Sequence, residues 1–133
     1  MALPNPDINI LVVDDMAAMR KILKTLLAQL GYKNVDEAED GKQALEKLRQ
    51  NPDKYGLVIT DWNMPNMTGI ELVQAIRSDE KLKHLPVLMV TAEAKKENVL
   101  MAIKAGVNNY IVKPFTAETL KEKLEAIFSS LNK

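Results

Sequence analysis

Short apolar runs rich in β-branched residues alternate with longer amphipathic segments five times along this chain of 133 residues. This alternation is typical of a parallel β-sheet whose strands are connected by helices. Three runs are almost continuously apolar, as strands buried on both faces are: INILVV at 8–13, GLVITD at 56–61 and LPVLMVTA at 85–92. The run KNVDEAED at 33–40 is short and polar, which indicates a strand near an edge, and NNYIVKP at 108–114 is the fifth strand.

Apolar side chains at helical spacing follow each run. After the first run they are Met16, Met19, Ile22, Leu23, Leu26, Leu27 and Leu30, with Gly31 as the C-terminal cap. Thr68 and Glu71 have the spacing of a capping box at the start of the third helix. The remaining helices are predicted from Ala44, Leu45 and Leu48; from Ile70, Val73 and Ile76; from 95–105 with Gly106 as its cap; and from Leu120, Leu124, Ile127, Phe128 and Leu131.

Right-handed crossovers and burial on both faces favour one topology for these elements. It is an α/β fold with a doubly wound, five-stranded parallel sheet in the order 2-1-3-4-5, flanked by five helices. No linker interrupts the pattern. We therefore expect a single domain over residues 1–133, with its core at about 8–131.

The composition excludes several classes of protein. Eighteen basic and eighteen acidic residues cancel, so the chain lacks the net charge of a nucleic-acid binder, although a local basic patch remains open. There is no cysteine, which suits a reducing compartment. The first residues do not resemble a secretory signal, and no run is long enough to cross a membrane. We expect a cytoplasmic protein that binds neither nucleic acid nor membrane, and nothing in the sequence requires more than a monomer.

Polar side chains collect where the predicted strands end. Asp14 and Asp15 follow the first strand, Asp61 ends the third, Thr91 the fourth and Lys113 the fifth. The carboxyl ends of parallel strands share one edge of the sheet, so these groups should converge. Three carboxylates there repel by about 1–4 kcal/mol per pair, and Mg²⁺ would offset that repulsion. Each residue alone is an ordinary turn or cap residue, but together they predict magnesium-assisted phosphate chemistry.

Four motifs carry a family resemblance. VVDD, VITDWNMP, VLMVTAEA and YIVKPF resemble the receiver domain of two-component response regulators over essentially the whole chain. TAEAKKENV and KPFTAETLKEKL are similar to the single-domain chemotaxis members of that family. The resemblance implies a signalling protein that is switched by phosphorylation and that catalyses only its own phosphorylation and dephosphorylation.

The resemblance also implies roles at the acidic site. Asp61 would be the phosphoacceptor, receiving the phosphoryl group of a CheA-like sensor histidine kinase. Asp15 and Asp61 would bind Mg²⁺ directly, Asn63 through its main-chain carbonyl and Asp14 through water. Lys113 would pair with the phosphoryl group.

A second set of roles concerns the switch and the lifetime of the phosphorylated state. Thr91 would move toward a phosphoryl oxygen, and Tyr110 would turn inward into the space that Thr91 leaves. Asn63 and Glu93 match positions that control access of water to the acyl phosphate, and a phosphatase is a further candidate partner. Lys113 and Pro114 are expected to be joined by a cis peptide bond.

The same resemblance implies an output surface on the fourth helix, fifth strand and fifth helix. It would bind a FliM-like flagellar motor switch protein. Its expected residues are Lys95, Lys96, Val99, Tyr110 and Lys123.

Other functions remain to be weighed. A receiver in a phosphorelay with a non-motor partner would carry the same acidic site. An aspartyl-phosphate phosphatase dependent on Mg²⁺ would carry a second acid two residues beyond the nucleophile, where this chain has Asn63. A flavin mononucleotide site is disfavoured because the first loop reads DDMAAM, and the five glycines form no phosphate-binding fingerprint.

Overall fold

Five strands alternate with five helices in the computed structural model, which describes residues 6–92 and 95–131. The strands are β1 (Asn9–Val13), β2 (Val35–Ala38), β3 (Tyr55–Asp61), β4 (Val87–Thr91) and β5 (Asn109–Val112). The helices are α1 (Ala17–Gln29), α2 (Gly41–Gln50), α3 (Gly69–Ser78), α4 (Lys96–Ala105) and α5 (Ala117–Leu131). The predicted elements are all present.

The strands form one parallel sheet in the order β2-β1-β3-β4-β5. The predicted doubly wound topology is therefore confirmed, and the polar strand β2 does lie at an edge. Val13 of β1 pairs with Thr60 of β3, and Asp61 pairs with Val90 of β4. This register places the residues that follow β1 beside the end of β3.

Alternate side chains of each central strand enter separate cores on the two faces of the sheet. Leu11 and Val13 pack in the cluster covered by α2, α3 and α4, whereas Ile10 and Val12 pack in the cluster covered by α1 and α5. All four side chains are fully buried. Burial on both faces explains why residues 10–13 of β1 are all apolar.

The ends of the helices follow the predicted caps. The Thr68 hydroxyl accepts the Glu71 amide at 3.2 Å, and the Glu71 carboxylate accepts the Thr68 amide at 3.0 Å. Gly31 and Gly106 both have positive φ, 101° and 114°, at the ends of α1 and α4. Glycine adopts this left-handed conformation without the steric cost of a Cβ atom.

Two residues assigned to the apolar face of the first helix are instead exposed. Met16 is 59% exposed and Ile22 is 49% exposed. Met16 precedes the helix as its N-cap residue, so it has no place on a helical face. Ile22 lies about 100° around the helix from Leu23, which with Leu27 forms the buried stripe. Among the described residues, the helices are too short or too polar to cross a membrane.

Candidate functional site

Three carboxylates lie together at the carboxyl edge of the sheet. Asp14 and Asp15 directly follow β1, and Asp61 is the last residue of β3. One carboxylate oxygen from each residue can be chosen so that all three lie within 4.8 Å of one another. This is the convergence that the ends of neighbouring parallel strands predict.

Asp14 is the most buried of the three, with 1% exposure. Its Oδ1 accepts a hydrogen bond from the Met16 amide at 2.9 Å, but among the described residues its Oδ2 has no hydrogen-bond donor. Burial raises the pKa of this carboxyl, and the negative charge of Asp61 adds to the effect, against the lowering by the Met16 amide and Lys113. A buried carboxylate oxygen without a donor is the kind of group that a bound cation would satisfy.

Asp61 is held by its own loop and by a lysine. The Trp62 amide donates to Oδ1 of Asp61 at 2.8 Å, and Nζ of Lys113 lies 3.4 Å from the same oxygen. The Gly69 amide donates to the Trp62 carbonyl at 2.8 Å, which ties the first residue of α3 to the end of β3. A Cβ atom on Gly69 would lie 2.2 Å from the Asp61 carbonyl oxygen. Only glycine allows α3 to approach the site this closely.

Lys113 and Thr91 come from the ends of the next two strands. Thr91 pairs with Val112, and the Lys113 amide donates to the Thr91 carbonyl at 2.8 Å. Nζ of Lys113 also lies 3.7 Å from Oδ2 of Asp14. The peptide bond from Lys113 to Pro114 is cis, as the family resemblance implied. The lysine therefore contacts two of the three acids. Thr91 is 3% exposed and ends β4, the strand that lies between β3 and β5.

The donor set fits a hard divalent cation. Its side-chain donors are carboxylate oxygens, which Mg²⁺ prefers, and one of them is buried without a hydrogen-bond donor among the described residues. Asn63 is exposed and lies two residues beyond Asp61, in the loop that leads from β3 to α3. The main-chain carbonyl of Asn63 therefore belongs to the segment that directly follows Asp61.

The residues predicted for the output surface lie on or beside α4, β5 and α5, and β4 separates β5 from β3, which carries Asp61. Tyr110 is in β5, and Nζ of Lys123 on α5 lies 4.9 Å from the centre of its ring. Lys95 is the N-cap residue of α4, with Lys96 as the first helical residue, and both are exposed. Val99 is half-buried on the same helix. Glu93 lies outside the described residues.

Two residues that shape the site were not predicted. Nη1 of Arg20 donates to the Asp14 carbonyl at 2.6 Å, and Gly69 makes the close approach to Asp61. A glycine directly after the capping residue Thr68 is a weak signal of close backbone contact, since glycine is a poor helix former. The sequence carries no signal for Arg20, because its contact joins a helix to a strand end.

Residues 10–125 match the response regulator receiver domain family. The chain is 57% identical over 130 residues to the chemotaxis protein CheY-3 of Vibrio cholerae serotype O1, and the match covers 98% of each protein. It is 57% identical over 123 residues to the chemotaxis protein CheY of Pseudomonas aeruginosa, covering 92% of this chain and 98% of that protein.

Solved structures give the same result. The chemotaxis response regulator CheY4 of Vibrio cholerae superposes with a TM-score of 0.83 at 36% identity, covering 91% of this chain and 98% of that one. A chain of the CheX–CheY–BeF3–Mg complex of Borrelia burgdorferi gives a TM-score of 0.85 at 28% identity, covering 91% and 89%.

The sheet, its acidic edge and the family match define one class: the chain belongs to the family of response regulator receiver domains. Members of that class are signalling proteins. Its nearly full-length similarity to the chemotaxis proteins places it among receiver domains of the CheY type.

Proposed function

We propose that this chain is a phosphorylation-activated chemotaxis response regulator that acts in the cytoplasm as one receiver domain over residues 1–133. Asp61 accepts a phosphoryl group from a CheA-like histidine kinase. The observation that carries the proposal is the juxtaposition at the end of β3: the Asp61 carboxylate within 4.8 Å of the Asp14 and Asp15 carboxylates and 3.4 Å from the Lys113 ammonium. A nucleophile, cation ligands and a counter-charge thus share one rigid edge.

The contacts of Asp61 indicate which oxygen reacts. The Trp62 amide and the Lys113 ammonium both lie on Oδ1, so we assign the attack on phosphorus to Oδ2. A bond forms between this oxygen and phosphorus as the bond from phosphorus to the kinase histidine nitrogen breaks, and that electron pair returns to the imidazole. The product is an aspartyl phosphate. Lys113 pairs with a phosphoryl oxygen, and the Thr91 hydroxyl donates to another.

The acids would hold Mg²⁺. Asp15 and Asp61 bind it directly, Asn63 contributes its main-chain carbonyl, and Asp14 acts through water. When bound, the ion neutralises negative charge on the acids and on the phosphoryl oxygens. The support for this assignment is the all-oxygen donor set and the buried Oδ2 of Asp14, which the described residues leave without a donor.

We assign the output surface to α4, β5 and α5, and β4 separates β5 from β3, which carries Asp61. Phosphorylation adds about −1.5 to −2 charges, which attract the Thr91 hydroxyl and allow Tyr110 to turn inward. The altered face then binds a FliM-like motor switch protein, through Lys95, Lys96, Val99, Tyr110 and Lys123. Asn63 and Glu93 set the rate of hydrolysis, and a phosphatase is a candidate partner. Similarity to chemotaxis proteins favours the motor over a non-motor phosphorelay partner.

Mass spectrometry after incubation with acetyl phosphate and Mg²⁺ tests the phosphoacceptor. We expect one phosphoryl adduct on the wild-type protein and none on Asp61→Ala. Asp53→Asn, which changes an exposed acid in the loop before β3, is the matched control and should keep the adduct. An unchanged adduct on Asp61→Ala would overturn the assignment.

Two further measurements separate the rival functions. A pull-down with FliM, with and without beryllofluoride and Mg²⁺, should show more binding in the activated state. Equal binding in both states would contradict the motor role while leaving the receiver role intact. Sustained turnover of p-nitrophenyl phosphate by the wild-type protein would instead support a phosphatase.

A further inference from the structure

Arg20 connects the first helix to the main chain of the acidic site. Its Nη1 donates to the Asp14 carbonyl at 2.6 Å, and its Nε donates to Oε1 of Glu37 on β2 at 3.0 Å. The Arg20 side chain is 13% exposed. The guanidinium is therefore held between an acceptor at the end of β1 and an acceptor on the neighbouring strand.

The two peptide units on either side of Asp15 are both fixed. Arg20 holds the Asp14 carbonyl, which belongs to the peptide unit before Asp15. Oδ1 of Asp14 accepts the Met16 amide at 2.9 Å, which belongs to the peptide unit after it. The Asp15 residue itself is exposed. Its carboxylate is thus placed by a backbone that Arg20 supports.

We propose that Arg20 is a positioning residue for the cation site. By holding the Asp14 carbonyl, it fixes where the Asp14 and Asp15 carboxylates lie before the ion binds. The contact of Arg20 is with the main-chain carbonyl of Asp14, so its effect on the carboxylates is one of geometry. The inference rests on the proposed function, since it requires Mg²⁺ to bind at these acids.

An arginine side chain suits this pair of contacts better than a lysine does. The planar guanidinium presents donors in a fixed fork, so it can contact a carbonyl and a carboxylate at once, whereas a lysine ammonium is a compact charge on a flexible stem. In other metal sites, loss of such an outer partner weakens metal affinity by about 10–100-fold. We expect a loss in that range for Arg20→Gln and a smaller loss for Arg20→Lys.

The test is a Mg²⁺ titration followed by the fluorescence of Trp62 and, independently, by calorimetry. In the Arg20→Gln variant we expect the dissociation constant to rise about tenfold or more. Lys24→Gln is the matched control, because Nζ of Lys24 lies 3.2 Å from Oε2 of the same Glu37. The dissociation constant of this variant for Mg²⁺ should stay within twofold of the wild-type value. Should Arg20→Gln fail to fold, Arg20→Lys keeps the charge and is the variant that decides.

The outcomes are distinct. If the wild-type protein binds Mg²⁺ and the folded Arg20 variants bind it equally well, the positioning role is wrong and the proposed function stands. If the wild-type protein does not bind Mg²⁺, the metal site of the proposed function is wrong, and this inference falls with it. If Arg20 only stabilised the fold, its variants would have a lower melting temperature. Their dissociation constant for Mg²⁺, measured well below that temperature, would equal that of the wild type.

Discussion

The ammonium nitrogen of Lys113 lies 3.4 Å from Oδ1 of Asp61, although the two residues are 52 positions apart in the sequence. The lysine follows β5 and the acid ends β3, so the side chain crosses the end of β4 to make this contact. It also lies 3.7 Å from Oδ2 of Asp14. One cation thus balances part of the charge of two acids, and any incoming phosphoryl group would meet it.

Lys113→Gln should separate phosphoryl transfer from metal binding. We expect phosphorylation by acetyl phosphate to slow by about 10²–10³-fold, because the phosphoryl oxygens lose a preorganised cationic partner. Mg²⁺ should bind at least as tightly as in the wild type, because the acids lose a competing positive charge. Rates from stopped-flow fluorescence and a Mg²⁺ titration would check this, with the exposed Lys81→Gln as control. Weaker Mg²⁺ binding with an unchanged rate would contradict the role.

Asp14→Asn should stabilise the metal-free protein. At neutral pH the fold holds a carboxylate whose pKa is raised by burial and by Asp61, so its charged form costs the folded state free energy. An amide of the same shape removes that charge, and we expect a gain of about 1–2 kcal/mol in urea unfolding without Mg²⁺. With saturating Mg²⁺ the difference should shrink or reverse, since the ion stabilises the wild type. A loss of stability without Mg²⁺ would contradict this account.

Tyr55→Phe should have a pH-dependent effect. The Tyr55 hydroxyl donates to Oδ2 of Asp36 at 2.7 Å and is the main cause of the lowered pKa of Asp36, with help from Lys54. The pKa of Asp36 in the folded protein lies below its ordinary value of 3.8, so the charged carboxylate stabilises the fold fully above pH 3.8. This stabilisation is lost as the pH falls through the pKa of the folded state. Burial, and after it Asp36, raise the pKa of Tyr55 above its ordinary value of 10.0. The stabilisation by the neutral Tyr55 hydroxyl is therefore full below pH 10.0 and is lost at higher pH.

The Asp36 side chain is 39% exposed, and solvent weakens the bond, so we expect Tyr55→Phe to cost about 1 kcal/mol. Urea unfolding of both proteins across the pH range measures the difference. It should be constant between about pH 5 and 9 and should decrease below pH 3.8. A difference that grows in acid would be inconsistent with this sign.

Arg77→Lys should destabilise the fold more than its conservative character suggests. The Arg77 guanidinium donates to the Gly106, Lys83 and Leu85 carbonyls at 2.9, 2.8 and 2.6 Å, and to Oδ1 of Asn108 at 2.9 Å. Burial lowers its pKa.

An ammonium cannot reach all of these acceptors, and we expect Arg77→Lys to cost about 2–3 kcal/mol. Arg49→Lys is the control, since the Arg49 side chain is 58% exposed and its Nε lies 3.4 Å from Oδ2 of Asp79. This substitution should change the free energy of unfolding by less than about 0.5 kcal/mol. Chemical unfolding of the two variants would compare them. Equal losses would show that the four hydrogen bonds of Arg77 add little.

The elements and the acidic edge were predictable because they depend on local pattern and one topological rule. The apolar run before Asp14 and the run that ends in Asp61 mark buried strands, and parallel strands bring their carboxyl ends together. CheY is itself a standard example of the order 2-1-3-4-5, so the strand order is not an independent success once the resemblance is known. The capping box at Thr68 and Glu71 was equally local.

The remaining features depend on contacts across elements. Arg20 reaches a strand end from a helix, and four acceptors from two segments of the chain meet at Arg77, so neither set of contacts leaves a periodic signal. The prediction for Met16 and Ile22 was wrong because apolar spacing alone does not locate the first residue of a helix or the width of its buried stripe. Helical periodicity gives a face, and packing decides how much of it is covered.

The position of the acids at the ends of β1 and β3 has a consequence for local unfolding. These strands lie side by side inside the sheet, and Leu11, Val13 and Val58 are fully buried. Segments with the most buried contacts open only when the whole domain unfolds. The amide protons of β1 and β3 would therefore be among the slowest to exchange, and the strand ends that carry Asp14 and Asp61 would keep their position until the core unfolds. If Asp61 is phosphorylated as proposed, these strands would stay in place while charge is added to the site and removed from it.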